Sequence, residues 1–486
     1  MRIIESINED VLRRTAQRCR ERNIIIPTFA QQKNPETVPD KIKERLRDVG
    51  LWDVDPANLF RITWKNEPQE KGGQFNEGNW IEFPSELTGV SARIVGLVGK
   101  YFPTGAHKVG AAFGCLVPRL VSGNFDPTTQ KAVWPSTGNF CRGGAFDSAL
   151  LACTAVAILP EEMSRERFEW LKEIGAEVIA TPGCESNVKE IYDKCWEIRK
   201  TRPDCVIFNQ FEEFGNAIWH YEITGSIIEE LFGRIRNENS RLAAYVSATG
   251  SAGTIAAGDY LRTISPQIRV VATEALQCPT LLLLGFGGHR IEGIGDKHVP
   301  FIHNVRNTNV ICAIDDEQCM SLLRLFNEPA GLAFLERQGI SAELAEQLPL
   351  LGISSICNLV GAVKTARYYE MDGRDVIFTP LTDSMELYNS RIQELREAQG
   401  PYDEGQAGMD FARYLEGIGI DHMRELNYYD RKSLHNFKYF TWVEQQGRSV
   451  DELRELWEPD FWTETFNQVP EWDRLINEFN ALTGLL

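Results

Sequence analysis

The sequence lacks any apolar segment that could cross a membrane. The uncharged stretch at residues 242–258 is rich in Gly, Ser and Thr, and it falls short of the roughly 20 apolar residues that a membrane helix needs. The N-terminal segment MRIIESINEDVLRR carries charges throughout and does not contain the apolar core of a signal peptide. The sequence therefore predicts no membrane span and no export, and we expect a cytoplasmic protein.

Paired cysteines are also absent, although the sequence holds 11 cysteines. This number is odd, the positions are scattered, and no two cysteines are arranged as C-x-x-C. Disulfide frameworks and zinc sites need cysteines in matched numbers and at close spacings, whereas free cysteines are usually small core residues. We therefore expect reduced thiols in a reducing compartment, and no metal site is predicted.

Basic residues are too few to attract a polyanion. The 51 Lys and Arg residues against 69 Asp and Glu residues give a formal net charge of −18, and no dense run of Lys or Arg offsets this charge locally. A surface of this sign repels nucleic acid, so nucleic acid is not a predicted partner.

The sequence does contain an alternation of short apolar runs and amphipathic stretches. Its 486 residues are 43% hydrophobic and 25% charged, which is typical of a globular protein with about three folding units. The predicted strands are 152–159, 177–181, 243–248, 270–273 and 376–379. Residues 163–174 have helical spacing between two of these strands, which indicates a βαβ crossover. The pattern predicts an α/β fold with parallel sheets that helices cover on both faces.

The two ends of the chain differ from this central part. Residues 9–21 predict a surface helix, after which the lead-in becomes irregular and rich in proline. Residues 401–486 hold 17 acidic and 8 basic residues, a net charge of 8 − 17 = −9, together with 15 of the 49 aromatic residues. Because a free tail would not carry so many aromatics, we expect a helical extension that packs on the body or across a dimer interface.

A glycine-rich loop follows the apolar run AAYVSA and precedes IAAGDYLR, which can be helical. Its residues are Thr249, Gly250, Ser251, Ala252, Gly253 and Thr254. Small residues let the backbone approach an anion, and the N–H groups at a helix start point at it. The loop has neither the Gly-Lys-Ser/Thr of a P-loop nor G-x-G-x-x-G, and it predicts a site for one phosphate. The alternative is a tight turn without a ligand.

Lys108, in PTGAHKVGAAFG, lies after a turn and at the start of a helix of small residues. Burial and the positive end of the helix dipole both disfavour the ammonium form, and a lysine with a lowered pKa is a nucleophile that forms Schiff bases. For this lysine alone, the alternative is an ordinary surface residue. The neighbouring His107 is predicted to be structural.

A third motif consists of Ser136, Thr137, Gly138 and Asn139, which lie between two apolar stretches. Hydroxyl, amide and free backbone N–H groups at the start of a helix suit a carboxylate. Simple capping of the helix is the alternative that this motif alone leaves open.

The order of these motifs resembles that of the fold-type II pyridoxal-phosphate enzymes, the group of cysteine synthase, threonine synthase and the serine/threonine dehydratases. PTGxxK, STGN and TGSAGT occur in this order, and Thr382, Asp383 and Ser384 follow near the end of a predicted strand. The resemblance covers about residues 85–390. It includes EGIGDKHVPF, similar to the family's glycine-containing loop at the mouth of the active site, and ISSICNLVGAVKTAR, similar to its SSGAA helix.

The resemblance implies the cofactor pyridoxal 5'-phosphate and a role for each motif. Lys108 would form the internal aldimine, Asn139 would bind the ring hydroxyl, and Ser384 would face the pyridine nitrogen. The phosphate would be held by Gly250, Ser251, Ala252, Gly253 and Thr254. Because a serine hydroxyl cannot keep the ring nitrogen protonated, elimination is expected to outrun racemisation and transamination.

The same resemblance implies a small β-substituted amino acid as the substrate. Ser136, Thr137 and Gly138 would hold its α-carboxylate. After Asn139 the sequence departs from the cysteine synthases, because Phe140-Cys141-Arg142 stand where those enzymes have a second Thr and a Gly. Arg142 could bind a second acidic group of the substrate, and the alternative for this residue is a surface ion pair.

The leading hypothesis is a cysteine synthase-like enzyme that catalyses β-elimination or β-replacement through an aminoacrylate intermediate. A serine/threonine dehydratase or a threonine synthase-like enzyme is the alternative within the class, and a non-catalytic scaffold subunit is the alternative outside it. The resemblance also implies a homodimer.

Four parts of the chain are expected from the motifs and the resemblance. They are a lead-in at 1–95 packed on the large domain, a smaller domain at 96–224 with Lys108 and the STGN loop, a larger domain at 225–400 with the phosphate loop, and the extension at 401–486.

Overall fold

The computed structural model describes residues 2–136, 138–161, 165–183, 188–295 and 297–485. The strands of this part of the chain are β1 (Trp80–Phe83), β2 (Arg93–Val98), β3 (Lys131–Pro135), β4 (Thr154–Pro160), β5 (Glu177–Thr181), β6 (Cys205–Ile207), β7 (Arg241–Ala248), β8 (Arg269–Ala275), β9 (Val310–Ile314), β10 (Asp375–Leu381) and β11 (Met423–Glu425). The helices are α1 (Glu9–Glu21), α2 (Phe29–Lys33), α3 (Asp40–Leu46), α4 (Ser85–Thr88), α5 (Lys108–Val121), α6 (Asn139–Leu150), α7 (Arg165–Glu173), α8 (Val188–Thr201), α9 (Phe214–Trp219), α10 (Gly225–Ile235), α11 (Ala256–Ile264), α12 (Thr280–Leu283), α13 (Asp316–Asn327), α14 (Pro329–Arg337), α15 (Ala342–Gln347), α16 (Ile353–Tyr368), α17 (Asn389–Gln399), α18 (Glu404–Phe411), α19 (Tyr428–Lys438), α20 (Val450–Glu455), α21 (Pro459–Phe466) and α22 (Val469–Thr483).

The strands form two sheets. The larger sheet has the order β1-β2-β10-β7-β8-β9-β11, and the smaller sheet has the order β5-β4-β3-β6. All pairs are parallel except the two edge pairs of the larger sheet, β1 with β2 and β11 with β9. Parallel strands require crossover connections, which place helices on the faces of a sheet and leave the carboxyl ends of its strands at one edge.

This architecture confirms the predicted α/β fold class with its C-terminal helices. The predicted helix 9–21 and strand 177–181 coincide with α1 and β5, and the other predicted strands agree with the observed ones within two residues at each end. Helix α7 lies within the predicted 163–174, of which residues 163 and 164 fall outside the described residues.

Two edge strands were not expected from the sequence. The lead-in supplies β1 and half of β2 to the larger sheet, and the extension supplies the short β11. The extension is therefore not purely helical. A three-residue strand that pairs on one side only has too little apolar alternation to be recognised locally, because its pairing with β9 defines it.

Helix α5, which begins with Lys108, is fixed by a close backbone contact. A Cβ atom built on Gly114 of α5 would lie 2.4 Å from the carbonyl oxygen of Gly215, at the start of α9, and a Cβ on Gly215 would lie 2.2 Å from the oxygen of Gly114. Either side chain would push the two helices apart. The glycine pair therefore sets the depth at which Lys108 lies.

Residues 401–485 pack on the rest of the chain through aromatic side chains. Phe461 and Trp462 are buried against Phe214, with ring centroids 5.5 and 5.9 Å away. Trp472 lies 5.5 Å from Phe29 in the lead-in. Residues from the lead-in, the body and the extension thus share one hydrophobic core.

A set of polar contacts also connects the extension to the loop at residues 299–303. Lys438 Nζ donates hydrogen bonds to the carbonyl oxygens of Phe301 (2.9 Å) and His303 (2.7 Å). Trp442 Nε1 donates to the carbonyl oxygen of Val299 at 2.9 Å. The extension thereby satisfies three main-chain acceptors, two of which lie in the predicted glycine loop and one just after it.

Within the described ranges, no single helix has the length and apolar composition of a membrane span. One pair of helical segments, Ala342–Leu350 and Ile353–Tyr368, meets both criteria together, and its two parts are bent by 118° relative to each other.

Candidate active site

Lys108 is a buried lysine whose amine faces two side chains from distant parts of the chain. Its residue exposure is 9%, and Nζ donates to Ser251 Oγ at 3.0 Å and to Gln210 Oε1 at 3.3 Å. No carboxylate pairs with it in the part of the chain that the structure describes. Burial lowers the pKa of Lys108 to about 8, so the surface-residue alternative is wrong.

His107 lies directly before this lysine and is fully enclosed. Its ring lies edge-on to that of His220, with the centroids 4.8 Å apart, and neither of its ring nitrogens has a hydrogen-bond partner among the described residues. Burial, followed by the nearby charge of Lys108, lowers the pKa of His107 to about 3. The ring is therefore neutral at physiological pH, in agreement with the structural role predicted for it.

The predicted phosphate loop connects β7 to α11. Ala252 has a φ of 61°, a left-handed conformation that is uncommon for residues other than glycine. The backbone N–H groups of residues 250–254 donate to no acceptor within the described ranges. Consecutive free N–H groups around a left-handed residue form a concave site for an anion. The geometry therefore fits a phosphate better than a plain turn.

Asn216, which the sequence did not suggest, supports this loop from α9. Its Nδ2 donates to Ser251 Oγ and to the carbonyl oxygen of Gln210, both at 3.0 Å. A Cβ atom on Gly253 would lie 1.9 Å from Asn216 Oδ1. Glycine is therefore required at this position because the amide of Asn216 occupies the space of a side chain.

The STGN motif lies at the end of β3 and the start of α6. Ser136 Oγ accepts hydrogen bonds from Gly138 N and from Gln210 Nε2, both at 3.2 Å. Asn139 Nδ2 donates to Asp383 Oδ2 at 2.7 Å. Thr137 lies outside the described residues. The motif thus faces the lysine and the end of β10, which is more than helix capping requires.

Gln210 is the residue that joins the two predicted segments. Its Oε1 accepts from Lys108 Nζ, and its Nε2 donates to Ser136 Oγ. Two positions further on, Glu212 accepts hydrogen bonds from Arg448 of the extension, at 2.8 Å from Nη2. Residues 209–213 therefore connect the lysine, the STGN motif and the extension.

Asp383, rather than the neighbouring Ser384, anchors the end of β10 to the STGN motif. The Asp383 carboxyl group is fully buried, and its Oδ2 accepts from both Asn139 Nδ2 and the Tyr388 hydroxyl at 2.7 Å. Burial raises the pKa of Asp383 to about 6. Ser384 is also buried, at 2% exposure, and its hydroxyl has no hydrogen-bond partner among the residues described. Its role toward a ring nitrogen stays a prediction.

The predicted segments line a narrow cavity of about 30 Å³. Ser136, Gln210 and Ser251 contribute polar atoms to it, and three glycines, Gly250, Gly293 and Gly295, contribute backbone. Asp296 of the predicted glycine loop lies outside the described residues. Ligand pockets usually have volumes of about 300–1,000 Å³, so this cavity is small for a cofactor. The donor groups suit pyridoxal phosphate, whereas its ring requires these loops to move apart.

Arg142 lies on α6, one turn after Asn139, and its exposure is 8%. None of the described carboxylates forms an ion pair with it. The surface ion pair considered from the sequence is therefore wrong, because this guanidinium is neither exposed nor paired.

Comparisons with known proteins agree with the motif order. Residues 100–383 match the family model described as "Pyridoxal-phosphate dependent enzyme". The chain is 27% identical to a probable cysteine synthase of Bacillus subtilis over 289 residues, which are 59% of this chain and 85% of that protein. It is 28% identical to cysteine synthase B of Campylobacter jejuni over 289 residues, 59% of this chain and 87% of that protein.

A solved structure with a similar fold is O-acetyl serine sulfhydrylase isoform 3 from Entamoeba histolytica. It has a TM-score of 0.56 and 22% sequence identity, and the match covers 69% of this chain and 93% of that chain. The matches confirm the resemblance that the motifs indicated and the predicted enzyme class. The relatives' names favour β-replacement over the dehydratase and scaffold alternatives.

Proposed function

Because the chain belongs to the family of pyridoxal-phosphate dependent enzymes, we propose that it catalyses β-replacement or β-elimination on a small β-substituted amino acid. The observation that carries this proposal is the buried Lys108 amine, which donates to Ser251 in a loop of free backbone N–H groups. When bound, pyridoxal phosphate supplies an electron sink for the α-carbon of the amino acid.

The phosphate loop holds the phosphate dianion of the cofactor. The N–H groups of residues 250–254 and the hydroxyls of Ser251 and Thr254 are the donors, and the start of α11 adds a favourable dipole. The left-handed backbone of Ala252 turns successive N–H groups toward one point. None of residues 249–254 is charged, so the donors that the loop itself supplies are main-chain N–H groups and hydroxyls.

Lys108 attaches the cofactor and moves the α-proton of the substrate. Its pKa of about 8 leaves a larger fraction of neutral amine at neutral pH than an ordinary lysine has, and only the neutral amine attacks a carbonyl or accepts a proton. Ser251 and Gln210 hold the amine in place through neutral acceptors, which do not stabilise its charge as a carboxylate would.

Asn139 and Ser384 would hold the ring of the cofactor, Asn139 through the ring hydroxyl and Ser384 through the pyridine nitrogen. Asp383 orients Asn139 by accepting its Nδ2–H. A serine hydroxyl at this position would not protonate the pyridine nitrogen as a carboxylic acid would. A weakened electron sink favours loss of the β-substituent over racemisation.

Ser136, Thr137 and Gly138 hold the α-carboxylate of the substrate. Gln210 positions this loop because its Nε2 donates to Ser136 Oγ while its Oε1 accepts from Lys108. The same amide therefore sets the distance between the carboxylate site and the lysine, and with it the place of the α-carbon.

The attachment is tested by borohydride reduction of the protein loaded with pyridoxal phosphate, followed by peptide mapping. The pyridoxal phosphate that reduction fixes to the protein should be found on the peptide that contains Lys108. A label on a peptide with another lysine, or no label at all, would overturn the proposal.

The reaction is tested with O-acetylserine, O-phosphoserine, serine, cysteine and threonine, each with and without sulfide. β-Replacement consumes the amino acid together with sulfide, and β-elimination releases pyruvate. Turnover of serine and threonine alone to pyruvate and oxobutyrate would instead identify a dehydratase, and no turnover with a loaded cofactor would identify a scaffold.

The proposal includes a cytoplasmic homodimer. Within each chain, residues 96–224 and residues 225–400 form two parts that face each other across the site. The ten cysteines in the described ranges are all free, which suits a reducing compartment. Light scattering should give twice the chain mass of 55.1 kDa, whereas a mass of one chain would overturn the dimer.

A further inference from the structure

The guanidinium of Arg142 lies over the rings of two tryptophans that also contact each other. Its Cζ atom is 5.1 Å from the ring centroid of Trp52 and 5.3 Å from that of Trp170. The two indoles contact each other edge to face, with centroids 5.8 Å apart. Contacts of this kind stabilise a cation by its faces, and they leave the N–H donors at the edge of the planar group to meet another partner.

No anion meets those donors in the part of the chain that the structure describes. Arg142 forms no ion pair there, and its Nε is buried without a hydrogen-bond partner. Of the nearby Asp383 carboxylate, Oδ2 accepts hydrogen bonds from Asn139 and Tyr388, whereas Oδ1 has no hydrogen-bond partner among the described residues and forms no ion pair with Arg142. Burial, followed by the charge of Arg167, lowers the pKa of Arg142 to about 10. The surroundings therefore disfavour a charge that the side chain still carries at neutral pH.

The unpaired cation lies beside the proposed substrate site. Arg142 follows Asn139 by one helical turn, and a Cβ atom on the next residue, Gly143, would lie 3.0 Å from the carbonyl carbon of Lys108. Trp52 is 3.3 Å from the Cβ position of Gly105, in the turn before the lysine. The tryptophan-flanked guanidinium thus lies next to both the STGN motif and the lysine turn.

A second arginine increases the positive charge at the same motif. Arg167 Nη1 is 3.6 Å from the Cβ position of Gly138, and its side chain is 9% exposed. Arg167 forms an ion pair with Glu292 at 3.6 Å, so its charge is balanced by a residue of the protein, whereas that of Arg142 is not.

A buried cation without a counter-ion is costly, and it becomes favourable when an anion enters its site. Guanidinium groups bind carboxylate and phosphate through two parallel N–H bonds. We propose that Arg142 binds a second anionic group of the substrate, a carboxylate or a phosphate, in addition to the α-carboxylate held by Ser136, Thr137 and Gly138. This inference rests on the proposed function, and it narrows the substrate class to amino acids with an anionic side chain.

The test compares matched amino acids that differ in side-chain charge. L-Aspartate and L-asparagine have nearly the same shape, and L-2-amino-3-phosphonopropionate provides a phosphate-like anion that cannot be eliminated. Binding is measured by titration calorimetry on the protein loaded with pyridoxal phosphate. We expect one of the two anionic ligands to bind at least about 30-fold more tightly than asparagine, and the better one identifies carboxylate or phosphate.

Arg142→Gln should abolish the preference for the anionic ligand and leave the affinity for asparagine little changed. Arg142→Lys should retain part of the preference because it keeps the positive charge but loses the two parallel N–H donors of the guanidinium. Arg391→Gln is the matched control, since Arg391 is paired with Glu292 and Glu394 and is not proposed to bind substrate. Its preference should equal that of the unaltered protein.

Three outcomes overturn the inference. The first is that the unaltered protein prefers the anionic ligand over asparagine by less than about threefold. The second is that Arg142→Gln keeps this preference. The third is that Arg142→Gln loses asparagine and aspartate binding equally, which would assign Arg142 to the α-carboxylate. The first comparison needs no variant and so does not depend on the folding of Arg142→Gln. If the cofactor does not attach to Lys108 at all, the proposed function fails instead, and the absorption band of the loaded protein shows this separately.

Discussion

Lys108 in the body and Lys438 in the extension are both buried, and neither has a carboxylate partner among the described residues. Burial lowers the pKa of Lys108 to about 8 and that of Lys438 to about 7. Their hydrogen-bond acceptors differ in kind. Lys108 donates to the side chains of Ser251 and Gln210, whereas Lys438 donates to main-chain carbonyl oxygens of the loop at residues 301–303.

The difference separates a reactive lysine from an anchoring one. A lowered pKa alone would select Lys438, whose pKa is the lower of the two. A main-chain carbonyl in a packed loop cannot rotate away, so breaking its bond to Lys438 leaves a buried acceptor unsatisfied. A serine hydroxyl and a glutamine amide can rotate, so the Lys108 amine can exchange these partners for a cofactor.

Replacing each of the two lysines separately should give the largest difference in cofactor attachment and turnover. Lys108→Ala should remove borohydride-fixed pyridoxal phosphate and reduce turnover by about 10²–10⁴-fold, because the attacking amine is lost. Lys438→Met should retain the covalent attachment. Reduction, peptide mapping and a turnover assay measure both effects, and unchanged labelling in Lys108→Ala would disprove the assignment.

The role of the phosphate loop is tested by replacing one glycine in the loop and, as a control, one glycine in a helix outside it. Gly253→Ala should weaken retention of pyridoxal phosphate by about 10–100-fold, because its Cβ would lie 1.9 Å from Asn216 Oδ1 and would displace the amide that holds Ser251. Gly233 of α10 has no atom within 4 Å of a built Cβ, so Gly233→Ala is the control. Equilibrium dialysis measures the affinities, and equal retention in both variants would contradict the role of the loop.

The anchoring role of Lys438 predicts a loss of stability. Lys438→Met leaves the carbonyl groups of Phe301 and His303 without their donor, which should lower the free energy of unfolding by about 2 kcal/mol. Denaturant titration measures this change. Lys200→Met is the control because Lys200 is exposed, and a loss in Lys438→Met no larger than in this control would show that the contacts are dispensable.

The smallest expected effect is a shift in the pH dependence of the rate at which pyridoxal phosphate attaches to Lys108. Only the neutral amine attacks the cofactor. The rate at which the cofactor-free protein binds pyridoxal phosphate covalently should therefore increase with pH up to about 8, the pKa of Lys108, and then level off. An ordinary lysine would show acceleration to about 10.4. Stopped-flow absorbance measures the rate, and Lys438→Met should leave the midpoint in place. Acceleration that continues beyond pH 9.5 would contradict a lowered pKa at Lys108.

Sequence patterns predicted the features that depend on neighbouring residues. Helix α1 and strand β5 were placed at their observed bounds because side-chain periodicity is a local property. The loop at residues 249–254 was recognised for the same reason, since a run of small residues between a strand and a helix is also a local pattern.

The contacts that join the motifs could not be predicted in this way. Asn139 and Asp383 are 244 positions apart, and Lys108 and Gln210 are 102 apart. Gln210 follows β6 by only three positions, so its place at the carboxyl end of a parallel strand was the one available signal. Asn216 and Tyr388 gave no such signal, because asparagine in a helix and tyrosine in a turn are common residues.

The contacts between the extension and the body also constrain how this chain can recombine with its relatives. Arg448 pairs with Glu212 in the segment that carries Gln210, and Lys438 and Trp442 hold the loop at residues 299–303. A single crossover between residues 212 and 448 places Glu212 and Arg448 in segments from different parents. Such a chimera should be less stable than its parents, whereas a chimera that takes residues 212–448 from one parent keeps all of these contacts.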